Sequence, residues 1–197
     1  MGPLVGGLSA AGHHADALAV QEAELAMMRR LGAPEHIMLV AKGNLALTYQ
    51  ALGLLDQALP LKREVYSGHL KLQGEEHENT LIAAFNYSIS LQDLEHFEEA
   101  KSLLLKTMPV ARHVLGEDHG LTLKLRWNYA AALLNDTSTT LDDLREAVTT
   151  LEDAERTARR VLGGTHPTTT GIETAMRQTR AALRAREMPL HSYDAPD

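Results

Sequence analysis

The sequence predicts an all-α, right-handed solenoid of antiparallel helix pairs, and three observations predict it. The stretch Asn44–Thr80 returns as Asn86–Thr122, with Gln92 under Gln50, Ala100 under Ala58, Leu103 under Leu61, Gly116 under Gly74 and His119 under His77, each 42 residues on. A fixed period of that size means stacked copies of one supersecondary unit, each burying its apolar face against the next. The composition is the second observation: 44% hydrophobic but only 4% aromatic, with Ala and Leu dominant, suits close helix packing and makes poor β-sandwich material. The third is punctuation, since Gly and Pro fall mostly between the periodic segments.

Charge and composition narrow the function classes. A net charge of −7 gives no overall basic footprint for nucleic acid or an anionic membrane. The absence of cysteine removes disulfides and Cys-ligated zinc and agrees with a reducing compartment. No apolar run approaches the roughly 18 residues that span a bilayer, and MGPLVGGLSAAG lacks the basic start of a secretory signal. A cytoplasmic location with no cofactor is expected.

The first unit, about residues 1–36, is incomplete. Gly12, Ala17 and His36 align with Gly53, Ala58 and His77 at a spacing of 41, so its first helix should begin upstream of Met1. Only Pro3–Ala11 remain of it, in a glycine-rich stretch unsuited to helix. The expectation is a fragment of a longer protein, with an open N-terminal end that could self-associate. A helix over ADALAVQEAELAMMRRL follows.

Unit two, residues 37–78, has helix A over Ile37–Leu52 and helix B over Asp56–Leu72, with Pro60 placed in the first turn of B, where its missing N–H costs little. Unit three, 79–120, has A over Thr80–Leu94 and B over Phe97–Leu115. Unit four, 121–167, keeps Asn128 in register, but Ala147 and His166 lie 47 residues after Ala100 and His119. The five extra residues are assigned to NDTSTTLDD, in the turn between its two helices. A solvated capping helix over 168–187 and a disordered tail over 188–197 complete a single domain of about 3.5 repeats.

Recurring small residues mark where helices cross closely: Ala46, Ala58, Ser88, Ala100, Ala130 and Ala147. The large ones beside them are Leu45, Tyr49, Leu55, Tyr87, Leu91, Phe97, Tyr129, Leu133 and Leu144, and both sets are read as core.

This small/large pattern, with Gly53 at the turn, resembles the tetratricopeptide repeat. The 42-residue period and the segments ALPLKREV, KLQGEEHENT and VLGEDHGLT resemble the long form found in kinesin light chains. The resemblance covers Gly12 to Thr169 and implies a concave face lined by the A helices. In that register the inward positions are Val40, Gly43, Asn44, Leu47 and Gln50, then Ile82, Phe85, Asn86, Ile89 and Gln92, then Lys124, Trp127, Asn128, Ala131 and Asn135. Each set keeps to one helix face. The ladder Asn44, Asn86, Asn128 offers amide donors and acceptors to a peptide backbone, as the equivalent ladder does in that family. The alternative is that these amides tie neighbouring helices together.

The sequence departs from kinesin light chains just before the ladder, where a second Asn is replaced by Gly43, Phe85 and Trp127. Phe85 and Trp127 are either exposed anchors in a more apolar groove or inter-repeat core. Lys42, Lys124 and Arg126 add positive charge near this face, which suits an acidic-hydrophobic peptide.

His36, His77, His119 and His166 recur once per turn, too far apart to converge on one ion, and are read as turn-structuring residues. His13 and His14 are adjacent in a turn and lack metal-binding helical spacing. No HExxH, GxGxxG, P-loop or G-x-S-x-G is present. The expected function is therefore non-enzymatic: an adaptor or scaffold that holds a peptide or protein segment in the groove. The alternatives are a regulatory domain of a larger enzyme or signalling ATPase, and a self-associating structural module.

Overall fold

The computed structural model describes residues 14–187. In chain order it contains α1 (His14–Arg30), α2 (Glu35–Ala51), α3 (Leu55–Gln73), α4 (Glu78–Asp93), α5 (Phe97–Leu115), α6 (Gly120–Asn135), α7 (Leu141–Leu162) and α8 (Pro167–Glu187), with no strand among the described residues. The expected remnant helix over Pro3–Ala11 and the tail over 188–197 lie outside the described residues. The chain divides into two compact units, Met1–Val114 and Leu115–Asp197.

Helix ends follow from local chemistry. α4 and α6 start at His77 and His119, each extended in backbone, whose ring Nδ1 accepts a hydrogen bond from the backbone N–H two residues on, Asn79 at 3.1 Å and Leu121 at 3.2 Å. His166 does the same for Thr168 at 3.1 Å, opening α8. The recurring histidines are thus helix caps in the role usually taken by Asn or Asp, satisfying one of the orphan donors at a helix start. His36 is the exception and lies inside α2, whose N-cap is Pro34. At the other ends, α3 and α7 stop at Gly74 and Gly163, with φ of 83° and 85° that an L side chain adopts only under strain. His119→Ala should cost about 1 kcal/mol of stability in urea unfolding, and His119→Asn should restore most of it.

Pro60 is the sixth residue of α3, not part of its first turn, so its missing N–H removes an intrahelical bond to the carbonyl of Asp56. α3 begins at Leu55, slightly ahead of the expected start, and Asp56 is exposed to water there, which limits the loss.

In the first unit, α2 packs on α1 and α3, and α3 packs on α4. Ala46, Ala58, Ser88 and Ala100 are completely buried, as their recurrence implies. Leu45 and Leu91 are core, whereas Tyr49, Leu55, Tyr87 and Phe97 are only half-buried. Tyr49 uses that position to donate its hydroxyl to Glu22 on α1 at 2.6 Å. Gly68 on α3 admits the Leu39 side chain of α2, whose nearest carbon lies 2.5 Å from where a Cβ would sit.

In the second unit, α6, α7 and α8 contact one another pairwise. Ala130, Ala147, Leu133, Leu144 and Tyr129 are buried, and Ile172, Thr169 and Thr179 bury one face of α8. The five-residue insertion is divided. The turn 136–140 is two residues longer than 94–96, and α7 starts three residues earlier relative to Ala147 than α5 does relative to Ala100. Thr140 and Asp143 close a capping box on this added turn. Arg186 at the end of α8 donates to the Thr139 carbonyl, and Arg145 pairs with Glu187 at 2.9 Å. The inserted residues therefore fasten the last helix to the turn.

Candidate functional site

The A-helix faces carry apolar side chains that no helix among the described residues covers. On α2, Val40 is 58% and Leu47 is 48% exposed, with Asn44 exposed between them. On α4, Ile82, one period after Val40, is 40% exposed, while Phe85, Asn86, Ile89 and Gln92 are half-buried. Spacings of three and four put each set on one helix face. The side-chain amides of Asn44 and Asn86 make no hydrogen bond among the described residues, so nothing in the first unit consumes their donors and acceptors. Asn128 is engaged within the protein.

Gln50 has a different setting from the one expected of a simple groove residue. Lys62 on α3, 4% exposed, donates from Nζ to Gln50 Oε1 at 2.5 Å, and Gln50 Nε2 donates to Asp93 Oδ2 on α4 at 2.6 Å. Three helices are thus tied by one polar chain. The sequence reading missed Lys62, although its register holds the signal: Leu104 and Leu151, both fully buried, occupy the same position in later units.

Burial lowers the Lys62 pKa to about 8, with the Asp93 carboxylate opposing the shift. Because the folded value lies below the unfolded one of about 10.4, the unfolded state binds more protons between them. The charged ammonium thus weakens the fold fully below about pH 8, and stability recovers as pH rises towards about 10. The stability gained by Lys62→Leu should accordingly be largest near pH 7 and shrink between about pH 8 and 10, as read by urea unfolding of both proteins at each pH. Tyr129, whose hydroxyl is pushed up by burial and by donating to Glu146, acts in the opposite direction only above about pH 10.

In the second unit, Trp127 is half-buried and lies against α8. A Cβ at Gly171 would sit 2.3 Å from the ring, so the glycine is what lets the indole approach. Between Trp127, Thr174, Ala175 and Gln178 an open cleft of about 350 Å³ remains. Trp127 therefore belongs to inter-helix packing with one edge on a cleft. Lys124, one turn earlier, and Asn135 are exposed, and Ala131 is half-buried.

Two of the three expected cations do not serve this face. Lys42 pairs with Glu64 on α3 at 2.8 Å, two residues and about 200° of helix rotation away from Asn44. Arg126 is held between Glu117 at 3.4 Å and Asp153 at 3.7 Å. Lys124 alone of the three is without a partner among the described residues. No cluster of three metal-binding side chains occurs among the described residues.

Comparison with known proteins agrees with this architecture. Residues 37–113 match the tetratricopeptide repeat family model. The fold is a tetratricopeptide helical repeat. A point variant of the nearly identical TPR-like repeats of a candidate kinesin light chain from Podosopora anserina superposes with a TM-score of 0.80 at 21% identity, covering 93% of this chain and 85% of that one. A second structure of those repeats gives 0.72 at 21% identity over 95% and 94%. BtubC (BKLC) from P. vanneervenii gives 0.69 at 14% identity over 98% and 82%. No curated protein matches the chain. No helix among the described residues of the repeat is long and apolar enough to cross a membrane.

Proposed function

We propose that this chain is a cytoplasmic adaptor or scaffold module that binds a peptide or protein segment along its A-helix faces and performs no chemistry of its own. The observation that carries this reading is the pairing of exposed apolar side chains with uncommitted amides at one register: Val40 and Leu47 around Asn44, and Ile82 beside Asn86. Core leucines elsewhere in the same helices are buried to 3% or less, so this exposure marks a face rather than loose packing. An extended segment would place its backbone against the amides and its side chains over the apolar positions. Taken by itself, the second unit carries Lys124, Trp127, Asn128 and Asn135 at the corresponding positions of its own A helix.

The test is a peptide-display selection on the purified chain, repeated with Asn44→Ala and Asn86→Ala, the two uncommitted amides. Loss of one backbone hydrogen bond, worth about 1 kcal/mol, should weaken the enriched peptides roughly fivefold while helicity and melting temperature hold. Unchanged binding in Asn86→Ala, or loss of its fold, would make the ladder a structural feature.

A further inference from the structure

Lys62 stands where the other complete units bury leucine, and its partners lie at the C-terminal ends of two A helices, Gln50 next to last in α2 and Asp93 last in α4. A lysine ammonium only donates, so it selects one orientation of the Gln50 amide: the oxygen faces Lys62 and the NH₂ edge faces Asp93. That amide in turn holds one oxygen of the Asp93 carboxylate and leaves the other open to solvent. Beyond that bond and the attraction of the buried Lys62 ammonium, Asp93 has no further partner among the described residues, and the exposed Glu95 in the turn that follows has none. The terminal carbonyls of α2 and α4 add negative potential at the same place. The ammonium that offsets it is buried, so the charge presented to solvent is acidic.

Building on the peptide-binding reading, we infer that Asp93 receives a basic side chain, Lys or Arg, of the bound segment, and that Lys62 and Gln50 are positioning residues that aim it. The apolar positions Leu47 and Ile89, one turn back on each helix, take the side chains beside that cation. A buried lysine that costs stability at a core position is then explained by recognition, since leucine would serve packing better.

The experiment is display of a random peptide library on the whole chain, followed by titration of the most enriched synthetic peptide into wild type, Asp93→Asn and Lys62→Leu. Enriched sequences should share Lys or Arg at one position. Changing that residue to Gln, or Asp93 to Asn, should each weaken binding about three- to tenfold, and the two together no further. Lys62→Leu should melt at a higher temperature yet bind several-fold more weakly, a combination that a merely structural lysine would not give. Enriched peptides without a shared basic residue, or indifferent to Asp93→Asn, would overturn the inference and leave the peptide-binding reading standing. Full affinity in Lys62→Leu would overturn the positioning role. A library that yields no binder at all would overturn the peptide-binding reading itself and this inference with it.

Discussion

Replacing Leu91 with alanine is expected to destabilise the protein by about 2–5 kcal/mol. Leu91 on α4 is 1% exposed and belongs to the continuous buried stripe with Leu81, Ala84 and Ser88. Truncation removes three carbons from a site walled by rigid helix backbone, so the cavity closes only in part. Leu47→Ala, of identical chemistry on the neighbouring A helix, should change stability by no more than about 0.5 kcal/mol, because Leu47 is 48% exposed. Urea unfolding of both variants, with the slope checked for constancy, measures the contrast directly. A similar loss for the two would place Leu47 in the core and remove it from the binding face.

The second large effect is expected at Gly171→Ala. The added Cβ would meet Cη2, Cζ2 and Cζ3 of Trp127 at 2.3, 2.7 and 2.8 Å, all closer than carbon atoms tolerate. The indole is a rigid plane and has no flexible end to yield, so α8 must shift or the ring must rotate out, at a cost of about 1–3 kcal/mol. Trp127 is the sole tryptophan of the chain, so its emission should shift to the red as the ring gains solvent. The pair should be non-additive: with Trp127→Leu already present, Gly171→Ala should cost much less. Unaltered emission and stability in Gly171→Ala would mean that the indole does not pack on α8.

Much of the architecture was legible because each helix pair restates the same constraints. Ala46, Ala58, Ser88, Ala100, Ala130 and Ala147 recur because backbone approaches backbone there, and all six are completely buried. Both ends of Phe97–Leu115 are legible in the sequence, since glutamates follow its start and Gly116 follows its end. Pro60 falls outside the first turn from either start, fifth from Asp56 and sixth from Leu55, so its position is interior whichever boundary is taken. The division of the insertion between turn and helix is not legible, for spacing cannot distinguish a longer turn from a helix that begins a turn early. Tertiary pairing was less legible still. Lys42 and Arg126 look like groove cations until Glu64, Glu117 and Asp153 are seen on other elements beside them. Gln50 was found as an inward position, but its bond to Lys62 depends on two helices packing, and only the replacement of a recurring leucine by lysine hinted at it. The recurring histidines announced themselves by register, while their capping geometry required the backbone.

The central claim is that the A-helix faces, and not the B helices, hold the partner. The most direct measurement is photocrosslinking of an enriched peptide that carries a benzophenone at each position in turn, with the modified residues located by mass spectrometry. Adducts are expected within Val40–Gln50 and Ile82–Gln92, lost on competition with unlabelled peptide. Competable adducts confined to α3, α5 or α7 would contradict the claim.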